Sequence, residues 1–64
     1  MAIVVNSDNK IVMTDNRTSY TGVFFPAEGL LLIKEEGYIR YRFTITGQEA
    51  AYRFYMQHFV GREY

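Results

Sequence analysis

The chain has 64 residues, a formal net charge of zero, one histidine and no cysteine. A chain of this length has room for one domain, residues 1–64, and the missing cysteines exclude disulfides and a thiolate zinc site. Zero net charge argues against a general polyanion binder, and no stretch approaches the ~18 apolar residues that a membrane helix needs.

Short apolar segments separated by turn residues begin the chain. AIVV (2–5) and KIVMT (10–14) flank NSDN, and TDNRT precedes SYTGVFF (19–25). Each spacer predicts a turn, because Asn and Asp adopt tight-turn conformations that other residues avoid. Gly22, inside the third segment, predicts either a bulge or a close approach to the backbone.

Two more apolar segments follow. PAEG (26–29) breaks the chain before LLLIK (30–34), and EEG separates that segment from YIRYRFTIT (38–46). Five consecutive strands with short links predict an antiparallel β-meander, either as an open sheet or curled into a small barrel.

The last segment has the periodicity of a helix from about Gly47 to Val60. Thr46 and Glu49 have the spacing of a capping box, and Gly61 is placed to end the helix in a left-handed conformation. The apolar arc of this helix would consist of Ala50, Ala51, Phe54, Tyr55, His58 and Phe59, and the opposite side of Glu49, Arg53, Met56, Gln57 and Val60. The predicted fold is therefore α+β, a five-stranded antiparallel β-meander packed against one C-terminal α-helix.

Strict alternation in YIRYRFTIT predicts a strand with two different faces. Four apolar residues point toward the core (Ile39, Tyr41, Phe43 and Ile45), and the other face carries Tyr38, Arg40, Arg42, Thr44 and Thr46. The register of the preceding hairpin is open, since a two-residue loop pairs Leu32 with Tyr41 and a three-residue loop pairs Leu31 with Tyr41. In either register two aliphatic residues lie beside the arginines.

The sequence lacks the parts of an active site. Ser7 and Ser19 occur singly, and the adjacent carboxylates Glu35 and Glu36 sit in a turn where they point apart into water. We therefore expect a protein that is not an enzyme and that has neither a cofactor nor a metal site. His58 has two interpretations: a contact that changes charge near neutral pH, or a partly buried ring bonded to a backbone carbonyl.

Tyrosine, methionine and arginine are the residue types enriched in the cores and hot spots of protein interfaces. The candidate contact residues are Tyr38, Arg40, Arg42, Arg53, Met56 and Val60. The sequence thus favours a small non-enzymatic protein-binding domain. Small chains of this type are common among phage and mobile-element proteins that inhibit host factors, so occupation of a host protein's surface is the specific expectation.

Two other functions stay open. Tyrosine and arginine on an open sheet also suit a single-stranded nucleic acid, whose bases stack on aromatic rings while guanidinium groups meet phosphates. The third possibility is a structural subunit whose partner is a second copy of itself, as in a homodimer. The first ten residues lack the features of a signal peptide, which predicts a cytoplasmic protein without a membrane partner.

Overall fold

The computed structural model describes residues 2–61, which form one antiparallel sheet and one C-terminal helix. The strands are β1 (Ala2–Ser7), β2 (Lys10–Asp15), β3 (Tyr20–Phe25), β4 (Leu30–Glu35) and β5 (Tyr38–Thr44), and the helix α1 (Gln48–Tyr55) continues into a π-helical turn (Met56–Val60). The strand order is β1-β2-β3-β4-β5, so every strand pairs with its neighbour in sequence. The predicted α+β meander is confirmed, and the sheet is open rather than closed into a barrel.

The helix covers one face of the sheet, and the hydrophobic core lies between the two layers. Alternate strand residues point toward α1, as the two-residue repeat of a strand requires. The buried residues of this core are Ile11, Met13, Phe24, Leu31 and Ile33 from the sheet, with Ala51, Tyr55 and Val60 from the helical segment. Burying a large aliphatic or aromatic side chain stabilises a domain by about 1.5 to 3 kcal/mol, so a few such contacts dominate the stability of a chain this small.

Gly22 in β3 is a point of close contact between the helix and the sheet. A Cβ atom at this position would lie 3.1 Å from Cδ1 of Tyr55 and 3.2 Å from Cε of Met13. The Tyr55 ring is fully buried, and its hydroxyl donates a hydrogen bond of 2.8 Å to the carbonyl oxygen of Tyr20. The predicted close approach at Gly22 is confirmed, because a side chain at this position would meet the Tyr55 ring.

The helix begins and ends differently from the prediction. Gly47, with φ of 95°, is the N-cap residue and no side chain caps the helix, so the predicted capping box is wrong. Glu49 pairs instead with Arg53 one turn later, with 3.0 Å between carboxylate and guanidinium. Gly61 has φ of −86°, so the predicted left-handed helix end is also wrong.

The π-helical turn changes which residues of the helix face the sheet. Its bonds run from residue i to residue i−5, and the Gly61 N–H donates to the Met56 carbonyl oxygen at 2.6 Å. Tyr55 and Val60 are five residues apart, so this wider turn stacks them on the same side. Val60 is therefore 9% exposed and belongs to the core, whereas an α-helical repeat predicts it on the outer side.

A β-bulge in β5 interrupts the predicted alternation. The two-residue turn at Glu36 and Gly37 has φ of 54° and 84°, as in a type I′ turn, and the strands then pair as Glu35–Tyr38 and Lys34–Ile39. The next pair is Ile33–Tyr41, which leaves Arg40 as the extra residue. Neither predicted register is observed, since the loop has two residues but Phe43 pairs with Leu31.

Candidate functional site

The sheet face opposite α1 has no second layer over it among residues 2–61. We call this surface the open face and define it by its central cross-strand row, in which successive residues pair from β1 to β5: Val5, Val12, Val23, Leu32 and Arg42. Four aliphatic side chains thus lie side by side across the sheet and end at one arginine. The face of an antiparallel sheet that meets water usually carries polar residues, so a row of four aliphatic residues is unusual for a solvated surface.

Long cationic side chains border the aliphatic row. Lys10 and Lys34 line a shallow depression over Val12 and Val23, with Glu36 at its rim. Lysine side chains lay their methylene groups along apolar surface and keep the ammonium group in water. This arrangement explains why Val23 is nearly buried although no helix covers it. The open face is therefore an apolar centre with an ammonium group at each side.

The ion pairs of the described residues lie away from the open face. They join Arg17 to Asp15, Arg40 to Glu35 and Arg53 to Glu49, with N–O distances of 3.0, 3.5 and 3.0 Å. In contrast, Lys10, Lys34 and Arg42 form no ion pair with any residue of 2–61. Both strand acids, Asp15 and Glu35, point to the helix side of the sheet. Among residues 2–61, the cations without an ion pair therefore all lie on one surface.

The bulge separates the residues that the sequence predicts on one face. Arg40 lies at the helix side of β5, with its Cζ 5.7 Å from the centre of the Tyr38 ring and its Nε 3.5 Å from a Glu35 oxygen. Arg42 pairs with Leu32 and points to the open face. The prediction of a shared Tyr38, Arg40 and Arg42 surface is therefore wrong, because one extra residue reverses the alternation between the two arginines.

The candidate residues of the helix do not join either strand surface. Arg53 is exposed on the outer side of α1 and is held by Glu49. Met56 is partly buried against the core, and Val60 is buried within it. The prediction that Met56 and Val60 form an exposed apolar contact is therefore wrong for Val60 and weakened for Met56, since the π-helical turn directs both toward the sheet.

The large aromatic residues attach the helix to β3 and β5. Ring centres are 5.1 Å apart for Tyr20 and Phe59, 5.5 Å for Tyr41 and Phe59, and 4.5 Å for Phe43 and Phe54. Tilted aromatic pairs at these separations stabilise a fold beyond the area they bury. These rings lie on the helix side, so they are not available as a stacking platform on the open face.

Asp15 is a buried charge at the end of β2. Its carboxylate accepts hydrogen bonds from the Arg17 backbone N–H at 2.8 Å and from the Arg17 Nε and terminal nitrogen at 3.0 and 3.1 Å. These bonds from the Arg17 side chain and backbone hold the pKa of the Asp15 carboxyl well below its usual range, against the opposing effect of burial. Burial and the nearby Asp15 charge also raise the pKa of Tyr55 to about 12, so its hydroxyl stays a donor at neutral pH.

The low pKa of Asp15 predicts a loss of stability in acid. The unfolded chain binds a proton at this carboxyl near pH 4, whereas the folded chain resists it, so protonation favours unfolding. The stabilisation is complete above about pH 5 and declines as the pH falls toward the folded-state pKa. We expect Asp15→Asn to have a lower melting temperature than the wild type at pH 7. The difference between the two melting temperatures should be smaller at pH 3.

Thermal unfolding at pH 7, 5 and 3, followed by circular dichroism, measures this difference. Asp8→Asn, at an exposed turn position, is the matched control and should follow the wild type at every pH. Parallel curves for Asp15→Asn and the wild type would show that the Asp15 carboxyl has an ordinary pKa in the folded protein.

Three further observations concern His58, clusters of metal-ligand residues and the length of the helix. His58 is exposed, with its ring centre 4.4 Å from that of Phe54, so the prediction of a partly buried ring is wrong. Within residues 2–61 there is no group of three or more histidine, aspartate or glutamate side chains that could hold a metal ion. Over the same residues, no helix has the length and apolar character needed to cross a bilayer.

The aliphatic row of the open face was missed by sequence reasoning, although a signal for it exists. AIVV, GVFF and LLLI are apolar at consecutive positions, so each strand presents apolar side chains on both sides of the sheet. A single helix covers only one side of a sheet. Apolar residues on both sides of three strands therefore already implied an uncovered apolar face, in addition to the aliphatics expected beside the arginines.

Comparison of the chain with known proteins finds no relative. No protein-family model matches it, and neither a curated protein nor a solved structure matches it.

Proposed function

We propose that this domain is a non-enzymatic protein-binding module and that the open face is its contact surface. The observation that carries the proposal is the row Val5–Val12–Val23–Leu32, which crosses four strands without a covering layer. Val5 is exposed, Val12 and Leu32 are partly exposed, and Val23 lies in the floor of the depression between them. An apolar surface that no other layer covers typically marks a site of interaction on a small protein. An apolar centre with a charged border is also the usual anatomy of a protein interface.

The chemistry of the partner follows from the charges around this row. Lys10, Lys34 and Arg42 lack an internal ion pair among the described residues, so each can meet an acidic group of the partner without losing a bond of its own. Complementary charge at the border of an interface sets orientation and association rate. The partner that fits is a protein surface with an apolar stripe flanked by aspartate or glutamate.

A nucleic-acid partner is less well supported by the same residues. Three unpaired cations favour a polyanion, but Tyr20, Tyr41 and Phe43 lie on the helix side of the sheet, which leaves Phe25 as the only aromatic residue of the described strands on the open face. Phosphate contacts from three cations would give a log–log salt dependence no steeper than about −2. Nucleic-acid binding is therefore an alternative outcome of the experiment below.

The test uses a designed amphipathic helical peptide with a leucine stripe flanked by glutamates, and a second peptide with lysines in place of those glutamates. We expect the acidic peptide, titrated into the ¹⁵N-labelled domain, to shift backbone resonances around Val12, Val23 and Leu32. Lys34→Glu with Arg42→Glu should weaken this binding at least about tenfold. Arg53→Glu, a single charge reversal on the outer side of the helix, should leave it within about twofold.

Three results would contradict the proposal. Resonance shifts confined to Tyr38 and Arg40 would place the contact on the helix side of β5. Equal binding of both peptides would remove the role of charge. A response to single-stranded DNA or RNA, but to neither peptide, would replace the protein partner with a nucleic acid. Inhibition of a host protein is a narrower prediction, and it depends on the identity of the partner.

A further inference from the structure

The first strand leaves one edge of the sheet without protection. No other strand of residues 2–61 lies beside the outer edge of β1, so alternate residues of β1 direct their N–H and C=O groups outward. Three consecutive apolar residues at this edge, Ile3, Val4 and Val5, are 60%, 42% and 52% exposed. Because these side chains alternate between the two faces, β1 is apolar and accessible on both sides as well as along its backbone.

The opposite edge of the sheet has the protective features that β1 lacks. β5 carries Arg40 and Arg42, and its pairing is interrupted by the bulge at Arg40. Charged side chains and bulges prevent edge strands from pairing with other chains. β1 has no charged residue, no proline and no irregularity in its pairing with β2. One edge is therefore closed to further strands and the other is open.

We propose that β1 pairs with β1 of a second copy of this chain, antiparallel and about a two-fold axis at Val4. In this register Val4 lies opposite Val4 of the second copy, and Ile3 lies opposite Val5 of the second copy. The open face of each copy then continues across the axis, because side-chain alternation is preserved in a continuous sheet. The two sheets of five strands become one sheet of ten.

The second copy is favoured over an unrelated peptide because β1 is complementary to itself. A two-fold axis places identical strands opposite each other, which brings like charges together in any strand that has them. The apolar run of β1 has no charged residue. When the axis passes through Val4, each of its three exposed residues lies opposite an exposed apolar residue of the second copy. Beyond the run, Asn6 and Ser7 end the strand with uncharged polar side chains.

The size of the contact predicts a weak dimer. One pair of six-residue strands buries less surface than the ~1,600 Å² of a standard stable interface. We therefore expect dissociation at roughly 10 to 500 μM, so that the monomer dominates in dilute solution and the dimer in concentrated solution. The dimer contact is made through the backbone edge of β1, whereas the proposed peptide-binding row lies on the open face, and Val5 is the one residue that belongs to both.

Sedimentation equilibrium across this concentration range tests the pairing, with two isoleucines of similar exposure as matched sites. Ile3→Lys places a charge opposite Val5 of the second copy, one residue from the proposed axis, and should weaken association at least about tenfold. Ile39→Lys makes the same change at the other edge of the sheet, where the isoleucine is 56% exposed, and should leave association unchanged. Lys34→Glu with Arg42→Glu should also leave it unchanged, which distinguishes this proposal from the proposed function.

The absence of native cysteine makes the register directly testable by cross-linking. Directly opposed residues of antiparallel strands have Cα atoms about 4.5 to 5.5 Å apart, within the range that a disulfide spans. Val4→Cys should therefore form a covalent dimer under mild oxidation, and Ile39→Cys should form little. A chain that sediments as a monomer throughout, or that dimerises but cross-links equally at both sites, would overturn the proposal.

Discussion

Replacing Tyr55 with alanine is expected to remove a large part of the free energy of unfolding of the protein. The Tyr55 ring is fully buried against Gly22 and joins the helix to the sheet. Removing a buried aromatic side chain costs about 3 to 5 kcal/mol. A domain of 64 residues has a total stability of only about 3 to 10 kcal/mol, so this one substitution removes a third of it or more.

Tyr55→Phe separates the contribution of the hydroxyl group to stability from that of the ring. The ring packing stays, but the hydrogen bond to the Tyr20 carbonyl oxygen is lost. We expect a cost of about 1 to 2 kcal/mol, since the buried acceptor loses its side-chain donor. Urea unfolding followed by circular dichroism gives the free energy of unfolding of each variant.

Tyr38→Ala is the control for the Tyr55 variants, because Tyr38 is 68% exposed. Its free energy of unfolding should stay within about 0.5 kcal/mol of the wild type. Equal losses for Tyr38→Ala and Tyr55→Ala would mean that the helix does not dock through the Tyr55 ring.

The second large effect is expected at Gly22, where added volume rather than removed volume destabilises the protein. Gly22 has an ordinary φ, so valine meets no backbone strain and would otherwise suit a strand. Its Cβ would lie 3.1 Å from the Tyr55 ring, and its two methyl groups would displace Tyr55 or Met13. We expect Gly22→Val to lower the free energy of unfolding by about 2 to 3 kcal/mol.

Thr21→Val is the matched control for Gly22→Val, since it adds the same residue one position earlier, on the open face. Thr21→Val should be neutral or slightly stabilising in the same urea titration, because nothing within residues 2–61 packs over that side of the sheet. If Gly22→Val were as stable as the wild type, the helix would have room to move away from β3, and the Gly22 contact would not limit the packing.

The order and type of the elements could be predicted because they depend on short-range patterns. Turn residues separate five apolar segments, and the last segment changes to a helical period, so neighbouring strands pair and the helix returns over them. The bulge at Arg40 could not be predicted from the alternation of YIRYRFTIT, which is unbroken. Its cause is a conflict between the turn and the core.

The type I′ turn places Tyr38 opposite Glu35, and strict pairing from there would set Arg42 opposite Leu31, on the side of the helix. One extra residue places Phe43 opposite Leu31 instead, which buries an aromatic ring in place of a guanidinium group. Burying an unpaired charge is far costlier than one irregular strand pair, so the bulge is the favoured solution.

The candidate site was only partly predictable for the same reason. Arg42 is the one strand residue of the predicted contact set that lies on the open face. To predict the aliphatic row, one must know which side of the sheet the helix covers. The position of the helix depends on the contact between Gly22 and Tyr55, which are 33 positions apart in the chain. Likewise, the inward position of Val60 depends on the π-helical turn, and an α-helical period cannot reveal it.

The meander order has a consequence for how the chain acquires its structure. Every strand pairs with the strand just made, so each hairpin closes over a short loop, and such local topologies fold quickly. The helix is the exception, because its hydrogen bond from Tyr55 to Tyr20 spans 35 residues and the helix follows all five strands in the sequence. A sheet that forms as the chain emerges therefore exposes apolar side chains on both faces until α1 docks. Rapid docking of this one helix, rather than slow rearrangement of strands, would then limit the time during which unfinished molecules can aggregate.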